Sequence, residues 1–178
     1  VVTGSLASVA FLVKRHYRKT GYLLRRLEGL TEEVERSLTH LPKREESKTI
    51  YPDLSAQTAV ILVNGFNGLG LHTLFNVLRL FGKSFKNYVF VEIGIIDAGV
   101  FKGVEEMEAQ KAHVEKELEK YLVYMRGHGY YAESFCSFGI DPVEEVVKIA
   151  PEILERFSQA VFFGGKLVFA EDTFTSRF

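Results

Sequence analysis

The chain has 178 residues, of which 47% are hydrophobic and 25% are charged, and its formal net charge is -1. This length and composition are typical of about one globular domain with an extension, and a nearly neutral chain has no overall field that would attract nucleic acid or anionic lipid. The only cysteine, Cys136, cannot form an internal disulfide, which favours a reducing compartment. The sequence does not begin with Met and ends in the opening of a predicted helix, so we interpret it as a piece of a longer protein.

An uncharged apolar segment at the N-terminus is followed at once by a basic cluster. The segment, Val1–Val13, would span only about 20 Å as a helix, and roughly 20 residues are needed to cross a bilayer. A signal peptide carries its positive charge before the apolar stretch, so this order is typical of a membrane helix that emerges into the cytoplasm. The alternative is a soluble amphipathic helix packed on the domain. The predicted membrane-contacting residues are Lys14, Arg15, Arg18 and Lys19.

Two helices and a charged linker are predicted next. The first helix carries a stripe of leucines, and Thr31 is the predicted N-cap of the second. The segment Lys43–Lys48 has no apolar residue, which is typical of a linker. We therefore place the domain boundary near Lys48. Residues 1–48 are interpreted as the end of a membrane helix, a basic juxtamembrane helix and a linker, and residues 49–178 as the domain.

The domain alternates short apolar strands with longer helices. The predicted strands are Ala59–Val63, Tyr88–Ile96, Tyr130–Phe138 and Ala160–Phe163. The predicted helices are Leu69–Phe85, Val104–Arg126 and a last helix that runs from Pro142 to about Phe157. Strands and helices that alternate with short connections predict an α/β fold with a doubly wound parallel sheet and helices on both faces.

The helix patterns also predict which residues are buried. Leu69–Phe85 is apolar over most of its circumference, which predicts burial on more than one side. Core packing is the first interpretation, and a partner or a second copy on the outer face is the alternative. The last helix has Asp141 as its predicted N-cap and Pro142 at its first position. Its predicted buried residues are Val143, Val146, Val147, Ile149, Ile153 and Leu154.

The turn after the first strand is the predicted ligand region. Ligands of parallel sheets bind beyond the carboxyl ends of the strands, and Asn64–Gly70 follows the first strand with glycines that permit a tight turn. The phosphate-binding motif GxxxxGK[ST] is absent, because Leu71 stands where Lys is needed. A GxGxxG pattern begins at Gly68 but fails at Thr73. Anion binding by the helix start is therefore only weakly supported.

No catalytic or metal-binding motif is evident in the sequence. The five histidines are scattered, and no nucleophile elbow GxSxG occurs. Glu92 lies inside a buried strand pattern, and we expect an edge or a bulge to place its carboxylate in solvent. Asp97 and Asp141 follow strand ends and are interpreted as a turn former and a helix cap, with an acid–base role as the minor alternative. We therefore expect no enzymatic activity and no metal.

Four sequence features together resemble the universal stress protein fold over Thr58–Phe178. They are Asn64-Gly65-Phe66 after the first strand, Asp97 after the second, Asp141–Glu145 at the helix start, and Gly164-Gly165 after the fourth strand. In that family an Asp after the first strand contacts adenine, and a glycine-rich run after the fourth strand holds the phosphates. Here Asn64 replaces the Asp, and the spaced glycines are missing. We expect no cofactor, with an adenine nucleotide as the alternative. The resemblance implies a site at Asn64, Gly65, Phe66, Gly68, Asp97, Gly164 and Gly165.

The N-terminal residues Val1–Leu30 resemble the exit of the last membrane helix in bacterial amino-acid, polyamine and cation permeases. Some of these APC-type permeases carry a stress-protein-like cytosolic tail. The resemblance implies a non-catalytic domain at the cytoplasmic side of the cell membrane that regulates or assembles a transporter. The implied partners are the membrane and a second copy of the α/β domain, with no nucleic acid. The alternative is a soluble nucleotide-binding stress protein whose basic N-terminal helix is a docking arm.

Overall fold

The computed structural model of this chain describes residues 28–37, 50–81, 84–96 and 104–165. Within these ranges, helix α1 occupies residues 28–37. The other elements in chain order are β1 (Thr58–Val63), α2 (Gly68–Phe81), β2 (Asn87–Ile95), α3 (Val104–Gly127), β3 (Tyr131–Gly139), α4 (Pro142–Arg156) and β4 (Ala160–Gly164). The four predicted strands and the three predicted helices between them are therefore present, and the helix predicted to open near the end of the sequence lies outside the described residues.

The strands form one sheet in the order β3-β2-β1-β4, and each neighbouring pair is parallel. The chain moves in one direction from β1 to β3 and then crosses back to place β4 beside β1. Because crossovers between parallel strands are right-handed, this reversal puts α4 on the opposite face from α2 and α3. The structure confirms the predicted doubly wound α/β fold, and the switch point where the strand order reverses lies between β1 and β4.

The sheet separates two hydrophobic cores. In β1, Ala59 and Ile61 pack with residues of α2 and α3, whereas Val60 and Leu62 pack with Ile149 and other residues of α4. Successive side chains of a strand point to opposite faces, so a strand that is covered on both sides needs apolar residues at every position. The unbroken apolar run of β1 thus reflects its central place in the sheet.

Helix α1 packs on the domain and does not begin at Thr31. The helix runs through Thr31, so the predicted N-cap at this residue is wrong. Val34 is only 6% exposed and belongs to the core that contains α2 and α3, and Leu30 packs against the same core. These two side chains are four residues apart and share one face of the helix, and their packing outweighs the local capping signal.

Helix α2 ends earlier than predicted, at Phe81 instead of Phe85. The Ser84 amide donates to the Phe81 carbonyl at 3.0 Å, which closes a turn after the helix. Phe85 is still buried, because its ring packs on the rings of Phe81 and Phe163 at centroid distances of 5.6 and 5.5 Å. Leu80 and Phe81 are exposed, so the prediction of burial on more than one side is wrong for the last turn of α2.

Helix α4 buries a narrower face than predicted. Ile149 and Ile153 are buried in the second core, as expected. In contrast, Val143, Val147 and Leu154 are 71%, 66% and 43% exposed. Helix α4 packs on β2 and β3, and the apolar stripe of the helix is wider than the surface that these two strands cover. Apolar spacing gives the orientation of a helix but not the width of the surface beneath it.

The N-cap of α4 is confirmed, and its loss gives a first testable prediction. Asp141 Oδ1 accepts hydrogen bonds from the amides of Val143 at 2.7 Å and Glu144 at 3.2 Å. We expect Asp141→Ala to lower the free energy of unfolding by about 1 kcal/mol, because two amides lose their acceptor. Asp141→Asn should retain most of this stability, since Asn also caps helices. Urea unfolding of the three chains checks this, and equal losses in both variants would contradict the capping role.

Candidate functional site at the carboxyl end of the sheet

The turn Asn64–Asn67 joins β1 to α2 and is called the β1–α2 turn. Gly65 has φ 73°, a left-handed conformation that favours glycine. Asn67 Oδ1 accepts hydrogen bonds from the amides of Leu69 and Gly70, both at 3.0 Å, so Asn67 is the N-cap of α2. The Asn67 side-chain amide donates to the Asn64 carbonyl. One asparagine side chain therefore closes the turn and satisfies the first amides of the helix.

Helix α3 supplies the side chains that hold the β1–α2 turn. Glu117 Oε2 accepts a hydrogen bond from the Phe66 amide at 3.1 Å, and the Tyr121 hydroxyl donates to the Gly65 carbonyl at 3.1 Å. Lys120 Nζ lies 2.9 Å from Glu117 Oε1 and 5.4 Å from the centroid of the Phe66 ring. One amide and one carbonyl of the turn backbone are thus bonded to α3, about fifty residues away in the chain.

Tyr121 also fills the space between α2, α3 and the sheet. Its ring stacks on Phe90 at a centroid distance of 4.7 Å and lies 4.7 Å from the ring of Phe66. Burial raises the pKa of its hydroxyl. A Cβ on Gly70 would lie 2.0 Å from this hydroxyl. Gly70 therefore allows α2 and α3 to approach each other, which accounts for this glycine without a phosphate.

Glu92 lies beneath the same turn and is buried, so the prediction of a solvated carboxylate is wrong. It is 5% exposed, because β2 pairs without a bulge with β1 on one side and β3 on the other. Its Oε2 atom is buried without a hydrogen-bond partner among the described residues. Desolvation raises the pKa of Glu92, helped by the nearby Glu117 carboxylate and opposed by the Gly65 amide and by His113.

Glu117 shows the opposite shift at the same end of the sheet. Burial tends to raise the pKa of Glu117, but the hydrogen bonds from Lys120 and from the Phe66 amide outweigh burial, and the pKa is lowered. The hydrogen bond to Glu117 in turn raises the pKa of Lys120. The site therefore contains one carboxyl group with a raised pKa and one with a lowered pKa.

The structure brings most of the predicted site residues together around the switch point. Gly164 pairs with Leu62 at the end of the β1–β4 ladder. A Cβ on Gly165 would lie 2.5 Å from Thr73 Oγ1, which places the end of β4 against the first turns of α2. The predicted residues that meet here are Asn64, Gly65, Phe66, Gly68, Gly164 and Gly165. The predicted residues outside the described ranges are Asp97, Lys14, Arg15, Arg18 and Lys19.

Sequence reasoning missed the contribution of α3 to this site. Lys120 and Tyr121 follow Glu117 by three and four residues, a spacing that places both of them beside Glu117 on the helix surface. This spacing can be detected in the sequence. However, the pattern does not reveal that this face meets the β1–α2 turn. His113 and His128 are exposed, as is His72.

The described residues also bear on metal binding, membrane crossing and thiol chemistry. In these ranges no group of three or more His, Cys, Asp and Glu residues is arranged to hold a metal ion. No helix within them has the length and apolar character that crossing a membrane requires. Cys136 is half-buried, and desolvation raises the pKa of its thiol. Comparisons of the chain with protein-family models, curated proteins and solved structures found no match.

Proposed function

We propose that this chain is a non-catalytic cytosolic domain that regulates or assembles a membrane amino-acid or cation transporter. The observation that carries the proposal is the β1–α2 turn, which is closed by the protein's own groups. The amides of Phe66, Leu69 and Gly70 donate to Glu117 and Asn67. A phosphate at a helix start needs such donors to be free, and the Glu117 carboxylate would repel it. These contacts favour a protein-binding role over nucleotide chemistry.

The regulatory part of the proposal is supported by α1. This helix follows the basic cluster in the sequence, and its Val34 side chain lies in the domain core. Glu35 Oε1 lies 3.1 Å from Lys120 Nζ on α3. Burial of one valine stabilises by about 2 kcal/mol and a part-exposed ion pair by at most about 1 kcal/mol. A helix that joins the domain core through Val34 and α3 through Glu35 is suited to transmit movement between a membrane segment and the domain.

The membrane part of the proposal rests on the sequence order of Val1–Val13 and the basic cluster, and it is tested on the parent protein. We expect the full-length protein to sediment with membranes and to stay there after a high-salt wash, since an apolar span is not released by screening. Deleting residues 49–178 should leave the transport pore folded but change its rate or its control. A parent gene with no hydrophobic segment upstream of Val1 would exclude this function.

The alternative function is a soluble nucleotide-binding stress protein. It is favoured by the position of the β1–α2 turn at the switch point, where ligands of doubly wound sheets bind. Calorimetry with ATP and AMP separates the two functions, and we expect no binding with a Kd below about 1 mM. Micromolar binding that is lost in Gly164→Val would support the alternative. Gly164 suits this test because a Cβ there meets no atom within 4 Å, so the variant should fold.

A further inference from the structure

We infer that α1 and the β1–α2 turn are energetically coupled through Lys120, so that undocking α1 loosens the turn and opening the turn weakens the docking of α1. This inference goes beyond the proposed function, because it concerns the domain itself and holds whatever the chain is attached to. Coupling between two sites is reciprocal, so each direction can be measured separately.

The polar half of the coupling is one ammonium shared by two carboxylates. Lys120 Nζ lies 3.1 Å from Glu35 Oε1 on α1 and 2.9 Å from Glu117 Oε1 on α3. The other oxygen of Glu117 accepts the hydrogen bond from the Phe66 amide at 3.1 Å. When α1 moves away, Lys120 loses one of the two carboxylates that fix its position. Its contacts with Glu117 and with the Phe66 ring then become less restricted.

The apolar half of the coupling is a shared hydrophobic core. Val34 of α1 belongs to the same cluster of buried residues as Phe66 and Tyr121. Removing Val34 from this cluster exposes one side of it to water, and its remaining members lose packing contacts. Phe66 is a residue of the turn and Tyr121 donates to the Gly65 carbonyl, so undocking of α1 affects the turn through both the polar and the apolar contacts.

The exposure of the polar groups indicates which contact of the path is the weakest. Lys120 and Glu35 are partly open to solvent, whereas Glu117 is mostly covered. Interactions between partly exposed charges are weakened by salt, while the part-buried hydrogen bond to the Phe66 amide is weakened less. The contact between α1 and Lys120 is therefore the part of the path that breaks first, and the bond between Glu117 and the turn responds to it.

Amide hydrogen exchange of the complete 178-residue chain, read by NMR, tests the inference. Lys120→Met keeps the apolar stem and removes the shared charge. We expect the Phe66 amide and the amides of α1 to exchange about 10-fold faster in this variant, as expected for a locally opened unit. The amides of β1 and β2 should keep their wild-type rates. At 1 M salt, where the Debye length is about 3 Å, the wild-type chain should approach the behaviour of the variant.

Matched controls use ion pairs that stay within one helix. The Glu32–Arg36 pair lies within α1, and the Glu119–Arg126 pair lies within α3. Glu32→Gln and Glu119→Gln remove a charge from the same helices without touching Lys120. Neither variant should change exchange of the Phe66 amide by more than about 2-fold. If a control variant exchanged its Phe66 amide as fast as Lys120→Met does, general loss of charge would control the turn instead of the shared lysine. The inference would then be wrong.

A second variant, Val34→Ala, tests the coupling from the side of α1 with a small change in the core. We expect faster exchange in α1 together with faster exchange of the Phe66 amide. Faster exchange in α1 with an unchanged Phe66 amide would overturn the inference, because undocking would then not reach the turn. Unchanged exchange in α1 would overturn it as well, because Val34 would then not hold the helix. In the opposite direction, Glu117→Gln should speed exchange in α1.

Discussion

The Gly70→Ala variant is expected to have a free energy of unfolding about 2–3 kcal/mol lower than that of the wild-type chain. The added Cβ would lie 2.0 Å from the Tyr121 hydroxyl. The tyrosine cannot move aside, because its ring is stacked on Phe90 and packed against Phe66. Alanine is more favourable than glycine in a helix by about 1 kcal/mol, which offsets part of the clash. The net loss of stability therefore gives a lower limit on the cost of forcing α2 and α3 apart. Urea unfolding followed by circular dichroism gives the value.

Two further variants make this result specific. Gly164→Ala also adds one methyl group, but a Cβ there meets no atom within 4 Å, so its stability should stay within about 0.5 kcal/mol of the wild type. Combining Gly70→Ala with Tyr121→Phe removes the clashing oxygen, and we expect the pair to be less destabilised than the sum of the single variants. Tyr121→Phe alone should cost about 1 kcal/mol, since the Gly65 carbonyl loses its donor. A Gly70→Ala chain as stable as the wild type would disprove the close approach of these helices.

The wild-type chain is expected to lose stability as the pH rises because of Glu92. Replacing Glu92 by Gln should abolish this loss. The pKa of Glu92 is raised above its ordinary value of 4.5 in the folded state, so the folded protein holds this proton more tightly than the unfolded chain does. At a pH below 4.5 both states are protonated, and the group has no effect. As the pH rises from there through the folded pKa, the unfolded state releases its proton first, and the free energy of unfolding falls.

The sign is opposite for Glu117, which gives a matched comparison. Its pKa is lowered in the folded state, so its contribution is present above 4.5 and is lost as the pH falls through the folded value. We therefore expect Glu92→Gln to be more stable than the wild type at pH 8, by about 1–2 kcal/mol, with a difference that shrinks toward pH 4. Glu117→Gln should be less stable than the wild type above pH 4.5, and the difference should shrink as the pH falls through the folded pKa of Glu117.

Urea unfolding between pH 3 and pH 8 measures both profiles. Glu119→Gln serves as the control, because this carboxylate lies on the exposed side of α3 and should keep the wild-type slope. Only differences between variants are compared, so that other titrating groups cancel. If the wild type and Glu92→Gln lose stability in parallel above pH 5, then Glu92 is not responsible for the slope. Its carboxyl group would then be solvated or paired, contrary to the structure.

Local patterns were sufficient for the elements of this fold. The apolar run of β1 and the Asp141-Pro142 start of α4 are each visible in a few consecutive residues, and both lie where they were predicted. The order of strands and helices then leaves few topologies, because crossovers between parallel strands have one hand. The β1–α2 turn was predicted for the same reason, since glycines after a buried strand mark its carboxyl end.

Contacts between distant residues were decided only by the tertiary structure. Glu92 is buried because two neighbouring strands cover it, and nothing near it in the sequence shows that β2 has partners on both sides. Helix α1 continues through Thr31 because Val34 meets a core formed with residues of α2 and α3, which are distant in the sequence. Three exposed apolar residues of α4 show that spacing does not reveal how much surface the sheet offers.

The site shows the same division. The sequence by itself determined that a glycine turn would lie at the carboxyl end of β1, where ligands of parallel sheets bind. The tertiary structure alone decided that Glu117 of α3 accepts a hydrogen bond from the Phe66 amide and that Tyr121 of α3 donates one to the Gly65 carbonyl. The physical reason is that strand and turn signals come from the conformational preferences of adjacent residues. The partner of a polar group depends instead on which helix is packed against it after the chain has folded.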